Sequence, residues 1–234
     1  MLNLIFSILD VIKDLPLNHI VYTLCSISIV SLFLVYSDLK DKSEINIVDK
    51  YCSIFPLIFE IIFQVVTAKN NQWHISKSLP LEFSYITSLS LCLYTINHSV
   101  RLDAWIFFAG FWSSAAAFLN TIMIGNEAWY INLRYYGHHS ILLYFGARCI
   151  RRGYRPNYSD YLNVIRDTIL IILIVGSINY LINSNYMFTK SRPPGANFSR
   201  IMPDWPIYFL LIVFIGFLFY TVLFIITKRE SSKK

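Results

Sequence analysis

The sequence predicts an all-α polytopic membrane protein, a single bundle of about seven transmembrane helices. Three observations carry that prediction. The 234 residues are 56% hydrophobic, 17% aromatic and 15% charged, which is more apolar surface than one soluble domain buries. Several apolar runs approach the roughly 20 residues needed to cross a hydrocarbon core. The basic residues lie in short clusters beside those runs, so the net charge of +6 points to lipid head groups and not to a nucleic-acid partner.

Taken in order, residues 1–17 begin without a basic cluster and carry Asp10, Lys13 and Asp14. Leu2, Ile5, Leu9 and Ile12 at helical spacing predict a helix lying on the membrane surface rather than a cleaved leader. The transmembrane domain is expected over 18–227, with spans at about 18–36, 51–68, 80–98, 104–124, 130–150, 164–183 and 206–227, followed by a basic tail at 228–234. Pro80 suits the first turn of the third span. Tyr130 opens the fifth, because His139 to Ile150 alone is too short to cross. Cys25, Cys52, Cys92 and Cys149 show no paired spacing, so no disulfide framework, metal site or soluble cofactor is implied.

Loop charges set the expected orientation. Twelve of the twenty Lys and Arg residues adjoin the first, third and fifth loops and the C-terminus, seven adjoin the opposite side, and Arg166 lies within a span. The excess puts the N-terminus outside and the C-terminus in the cytoplasm of a bacterial-type inner membrane.

With that topology, Glu82 and Ser84, His138 and His139, and Asn179, Asn183, Asn185 and Tyr186 gather toward the outer leaflet. Lipid does not solvate such groups, so they are expected to meet in a polar pocket. The 1.5 Å helical rise puts Ser84 about 6 Å and His139 roughly 13 Å into the membrane. Behind Ser84, a stripe of Thr87, Ser88, Tyr94, Thr95 and His98 faces the bundle interior. A serine becomes a nucleophile when a histidine takes its proton, which predicts Ser84 and His139 as a catalytic dyad. Adjacent histidines point about 100° apart on a helix, so one of His138 and His139 faces Ser84. Glu82 is expected to orient a histidine or bond at head-group level, and Asn179, Asn183 and Asn185 to position an acyl carbonyl. Arg192, in the aromatic and basic loop after Asn185, suits a phosphate head group. Glu60 and Gln64 share one face of the second span, where an unpaired carboxyl is expected to be protonated and hydrogen-bonded.

Trp73, Ser78-Leu79-Pro80-Leu81, the Arg134 to His139 segment, and Asn179-Tyr180-Leu181 with Asn185-Tyr186-Met187-Phe188 and Pro194-Gly195 resemble the YwaF-like family of bacterial integral membrane proteins, over about residues 18–227. That family is related to the animal transmembrane protein 164 and, more distantly, to the androgen-induced lipid hydrolases. The resemblance implies seven helices and acyl transfer on phospholipids, with the nucleophile at Ser84 and the histidine at His139. The family pattern has histidine and cysteine where this chain has Glu82 and Ser84, so a hydroxyl replaces the thiol.

These readings converge on a lipid acyltransferase or lipid ester hydrolase whose partner is a membrane phospholipid or other acyl lipid. The rivals are a small-molecule or ion transporter built on Glu60, Gln64 and the polar stripe, and a lipid-binding protein without chemistry. Orientation has a direct test: a cysteine at Arg152 is expected to resist an impermeant thiol reagent added outside intact cells, and rapid labelling there reverses the topology.

Overall fold

The computed structural model describes residues 2–41, 44–96 and 99–228, and the side chains of all of these except 2–6 and 95. Every regular element among them is helical. Five helical stretches are long and apolar enough to cross a membrane: Leu17–Lys40, Ile47–Lys69, Val100–Leu119, Tyr158–Leu181 and Ile207–Thr227. The protein is a multi-pass membrane protein.

The N-terminal helix α1 (Leu2–Lys13) forms, with Asp14 just beyond it paired to Arg200 at 2.8 Å. Pro16, which cannot donate a backbone hydrogen bond, stands at the head of α2 (Leu17–Lys40). The second crossing is α3 (Ile47–Cys52), opened by an Asn46/Asp49 capping box, followed after a turn by α4 (Phe55–Lys69) with Pro56 in its first turn.

The third segment departs from expectation. Short α5 (Ile75–Ser78) leads into a tight Leu79-Pro80-Leu81 turn, in which the Leu81 N–H donates to the Leu79 carbonyl at 2.9 Å, and the helix begins only at Phe83, giving α6 (Phe83–Leu89) and then α7 (Leu91–Ile96). Proline holds its predecessor out of the helical region, and Leu79 is extended accordingly. The Leu79 N–H is also taken by the Tyr186 hydroxyl at 3.0 Å. Pro80 is therefore part of a connector. Thr87, Ser88 and Tyr94 of the polar stripe are buried as expected, whereas His98 and the Thr95 side chain lie outside what is described.

The fourth crossing runs through α8 (Val100–Trp105), a π-helical turn (Ile106–Gly110) and α9 (Phe111–Leu119), stopping at Asn120 rather than near 124. The π turn is completely buried. A Cβ on Gly110 would stand 3.3 Å from the Leu142 carbonyl oxygen, so this glycine allows close crossing with α10 (Trp129–Arg151). α11 (Tyr158–Leu181) starts six residues before the expected 164, because the capping box of Asn157 and Asp160 satisfies its first turn. α12 (Ile207–Thr227) completes the bundle. The outward faces of α2, α11 and α12 carry exposed Leu32, Leu173 and Leu210, as surfaces bathed in hydrocarbon do.

α10 packs against α2, α4, α6, the π turn and α9, and so forms the hub. At its C-terminal end Arg148, only 1% exposed, bonds Asp49, Asp38 and the Asp41 and Glu44 carbonyls. Arg152 pairs with Asp103 at 2.7 Å. Both arginines counted toward orientation in the sequence are thus buried ion-pair members, and exposed Arg155 becomes the position to label.

At the opposite end, Gly195 tests how tightly the Pro193–Asn197 turn is held. Its φ of +81° is disfavoured for other residues, and a Cβ would sit 2.6 Å from the Thr121 carbonyl oxygen. Gly195→Ala is expected to destabilise the protein by about 1–3 kcal/mol, seen as a lower Tm in detergent.

Candidate active site

A cavity of about 540 Å³ lies among α6, α9, α10, α11, α12 and the segment that joins the last two helices. Ser84 and His139 both line it, together with Glu82 and Tyr85. Ser84, in the first turn of α6, is half-buried, and its hydroxyl forms no hydrogen bond among the described residues. His139 stands ten residues into α10 and is almost completely buried.

The ring of His139 is held in a defined state. Its Nδ1 lies 2.6 Å from the Tyr135 carbonyl oxygen, which only accepts, so Nδ1 carries the proton. In the neutral ring Nε2 is then the basic nitrogen, and it has no hydrogen-bond partner among the described residues. Tyr135 packs against the ring at 4.6 Å between centroids and Phe118 at 6.3 Å. Ser114 donates to the His139 carbonyl at 2.9 Å and ties α9 to α10 at this level. Ser84 and His139 share the cavity without hydrogen-bonding each other.

His138 points elsewhere. It is fully buried, does not line the cavity, and meets Ser88 through Nδ1. Its Nε2 is 3.9 Å from a Glu60 oxygen and has no hydrogen-bond partner. The expectation of His138 as a substrate-binding residue is corrected accordingly, since one helical step carries it from the cavity into the core.

Glu60 is also corrected. Its carboxylate receives two hydrogen bonds from Arg134, at 2.9 and 3.0 Å, plus one from Gln64 at 2.5 Å. A guanidinium keeps its proton, so Glu60 is a charge partner and not an isolated neutral acid. Arg134 is sandwiched between the rings of Phe63 and Tyr85, 3.8 and 4.1 Å from their centroids. Arg134, one of the seven basic residues counted on the side opposite the C-terminus, thus lies inside the bundle, and its position five residues before His139 on one helix is the sequence signal for that depth.

A family model described as TMEM164 family matches residues 15–224. The chain belongs to the TMEM164 family. No curated protein and no solved structure matches.

Several residues that carried the sequence resemblance hold this TMEM164-family member together rather than lining its cavity. Asn179 donates to the Tyr186 carbonyl and the Thr189 hydroxyl, at 2.8 and 2.7 Å, and accepts from Ser184 and the Tyr186 N–H. Its amide is fully engaged, so the expected role at an acyl carbonyl gives way to a structural one. Asn183, just past the Ile182 cap of α11, has a left-handed φ of 47°, a conformation asparagine tolerates. Asn185 closes the Lys190–Ser191 turn through both ends of its amide. The Tyr186 hydroxyl donates to the Ile75 carbonyl at 2.6 Å, pegging this loop to the α5 connector. Burial raises the Tyr186 pKa, keeping that donor protonated. Arg192 donates to the Met202 carbonyl at 2.6 Å and pairs with Asp204 at 3.0 Å.

The consequence is a fixed roof in which Met187 and Phe188, both with positive φ, project over the cavity. Glu82 accepts the Met187 N–H at 2.8 Å, so it positions the roof rather than a histidine. The aromatic and basic loop after Asn185, expected at head-group level, supplies Met187, Phe188, Asn197 and Phe198 to the cavity wall, and none of these four stands out as a lining residue in the sequence.

Glu60→Gln leaves Arg134 buried with a weakened partner. Removing one member of a buried ion pair costs about 3–5 kcal/mol, so the variant is expected to lose folded yield and Tm. The double variant Glu60→Gln/Arg134→Met is expected to recover part of that loss in thermal melts.

Proposed function

We infer that this protein is an integral membrane lipid acyltransferase or lipid ester hydrolase. The observation that carries the reading is the shared cavity: a serine hydroxyl without other commitments and a histidine whose Nδ1–H is spent on a backbone carbonyl, in a largely apolar chamber. Ser84 Oγ attacks the ester carbonyl as His139 Nε2 takes its proton. The leaving alcohol receives that proton when the acyl-serine forms. Water, or an acceptor lipid's hydroxyl, then attacks the acyl-serine while giving its proton to the same nitrogen, and Ser84 is regenerated when that proton returns. Contacts of this kind commonly tighten only in the substrate complex. Tyr85, which lines the same cavity and whose hydroxyl makes no hydrogen bond among the described residues, supplies a donor to the developing oxyanion.

Family membership is compatible with a lipid-related membrane protein. The relation to the YwaF-like branch and to the androgen-induced hydrolases belongs to this proposal. So do seven crossings, with α10 and the 83–96 stretch as the two beyond the five long apolar helices, and a cytoplasmic C-terminus in a bacterial-type inner membrane. The transporter reading is weakened because Glu60 is tied to Arg134 and Gln64.

Ser84→Ala and His139→Ala are each expected to lower acyl transfer or hydrolysis by about a thousandfold or more, with the folded protein retained. The double variant should lose little beyond either single one, since the two act as a unit. Ser84→Cys should keep or gain activity, a thiol being the better nucleophile. Full lipid-remodelling activity in purified Ser84→Ala protein refutes the assignment.

A further inference from the structure

The same cavity is polar at one end and apolar along its length. Glu82, Ser84, Asn120, Thr121, Asn197 and Ser199 gather toward the roof, whereas Ala116, Ile172, Ile212, Val213 and Phe217 line the depth. Along α12 its wall extends from Phe209 to Tyr220, a run of about 16 Å at 1.5 Å per residue. One leaflet of a roughly 30 Å hydrocarbon core is about as deep. A chamber that is polar at head-group level and apolar for one leaflet has the profile of a single lipid molecule.

Two of its walls also face outward. Leu119, at the end of α9, is 67% exposed, and Ile215, on α12, is 40% exposed, yet both line the cavity. Leu119 and Ile215 thus stand where the wall of the chamber meets the apolar exterior of α9 and α12. Deeper in the same crevice, Trp112 packs against Gly216, where a Cβ would meet its indole at 3.3 Å. The depth ends at Thr168 and Tyr220, buried residues whose hydroxyls lie 3.5 Å apart across α11 and α12.

Building on the acyl-chemistry reading, we propose that the cavity binds one acyl chain of an outer-leaflet lipid, admitted sideways between Leu119 and Ile215, and that Thr168 and Tyr220 form the floor that sets chain length. Transfer from bilayer to cavity gains little hydrophobic free energy, because the chain leaves one apolar medium for another. Selection therefore rests on packing against the floor, where overfilling is penalised.

The test separates binding from chemistry. Purified Ser84→Ala protein, which needs no turnover, is incubated with mixed micelles of myristoyl and stearoyl phosphatidyl lipids, and co-purifying lipid is measured by native mass spectrometry. Thr168→Phe and, independently, Ile172→Phe are expected to lower the stearoyl-to-myristoyl ratio by about fivefold or more, the low end of an overpacking penalty. Leu119→Trp and Ile215→Trp are expected to slow lipid exchange several-fold, whereas Leu210→Trp, on an exposed face outside the cavity lining, leaves it unchanged. An unchanged ratio in both Thr168→Phe and Ile172→Phe, the latter one turn above the floor, with protein folded and lipid bound, overturns the floor. Equal exchange rates in both Leu119→Trp and Ile215→Trp overturn the lateral entry. Chain-selective binding by Ser84→Ala protein that also retains full activity refutes the catalytic assignment while leaving the chain site standing.

Discussion

The buried pair of Glu60 and Arg134 is the constraint on which the rest of the cavity end of the bundle depends. A carboxylate and a guanidinium surrounded by hydrocarbon must find each other, and their two-pronged contact joins α4 to α10. Gln64 and the Ser78 carbonyl complete the cluster and draw in the α5 connector. With Arg134 facing α4, the helical repeat settles where its neighbours face. His138, one turn on, falls against Ser88 in the core, and His139 turns toward the cavity.

The other end of α10 obeys the same rule with different residues. Arg148 is satisfied by Asp38, Asp49 and two carbonyls, and Arg152 pairs with Asp103, while the Tyr144 hydroxyl donates to Asp49 at 2.7 Å. Buried ion pairs need not add net stability, but breaking one leaves an uncompensated charge. α10 is thus fixed in rotation at both ends, which suits the helix that carries a histidine requiring a fixed orientation. Between the two clusters, the π turn and Gly110 let α9 approach closely enough for Ser114 to bond the His139 carbonyl.

The roof solves a related problem by neutral groups. An irregular chain at the end of a membrane bundle has backbone donors and acceptors that hydrocarbon does not satisfy. Asn179, Asn185 and Asn197 each use their amides to bond several of them, and the Tyr208 hydroxyl caps the Phe188 carbonyl. The asparagines most visible in the sequence are therefore builders of the chamber, and the groups that face its interior are less conspicuous.

Composition and periodicity were enough to read an all-helical membrane bundle, because covering the apolar surface and closing backbone hydrogen bonds in lipid leave few alternatives. The positions of α2, α10 and α12 were legible to within a few residues for the same reason. The resemblance pointed to Ser84 and His139, and the fold brings both to one cavity. What the sequence left open was every choice that depends on helix rotation and non-local partners: which histidine faces inward, that Arg134 answers Glu60, that the Leu79 N–H is taken by Tyr186 more than a hundred residues away, and that Asn179 is spent on the roof. Hydrophobic pattern is local and periodic, so sequence by itself determined the helices. Hydrogen-bond partners and charge pairs join residues distant in the chain, so only the tertiary structure decided the site.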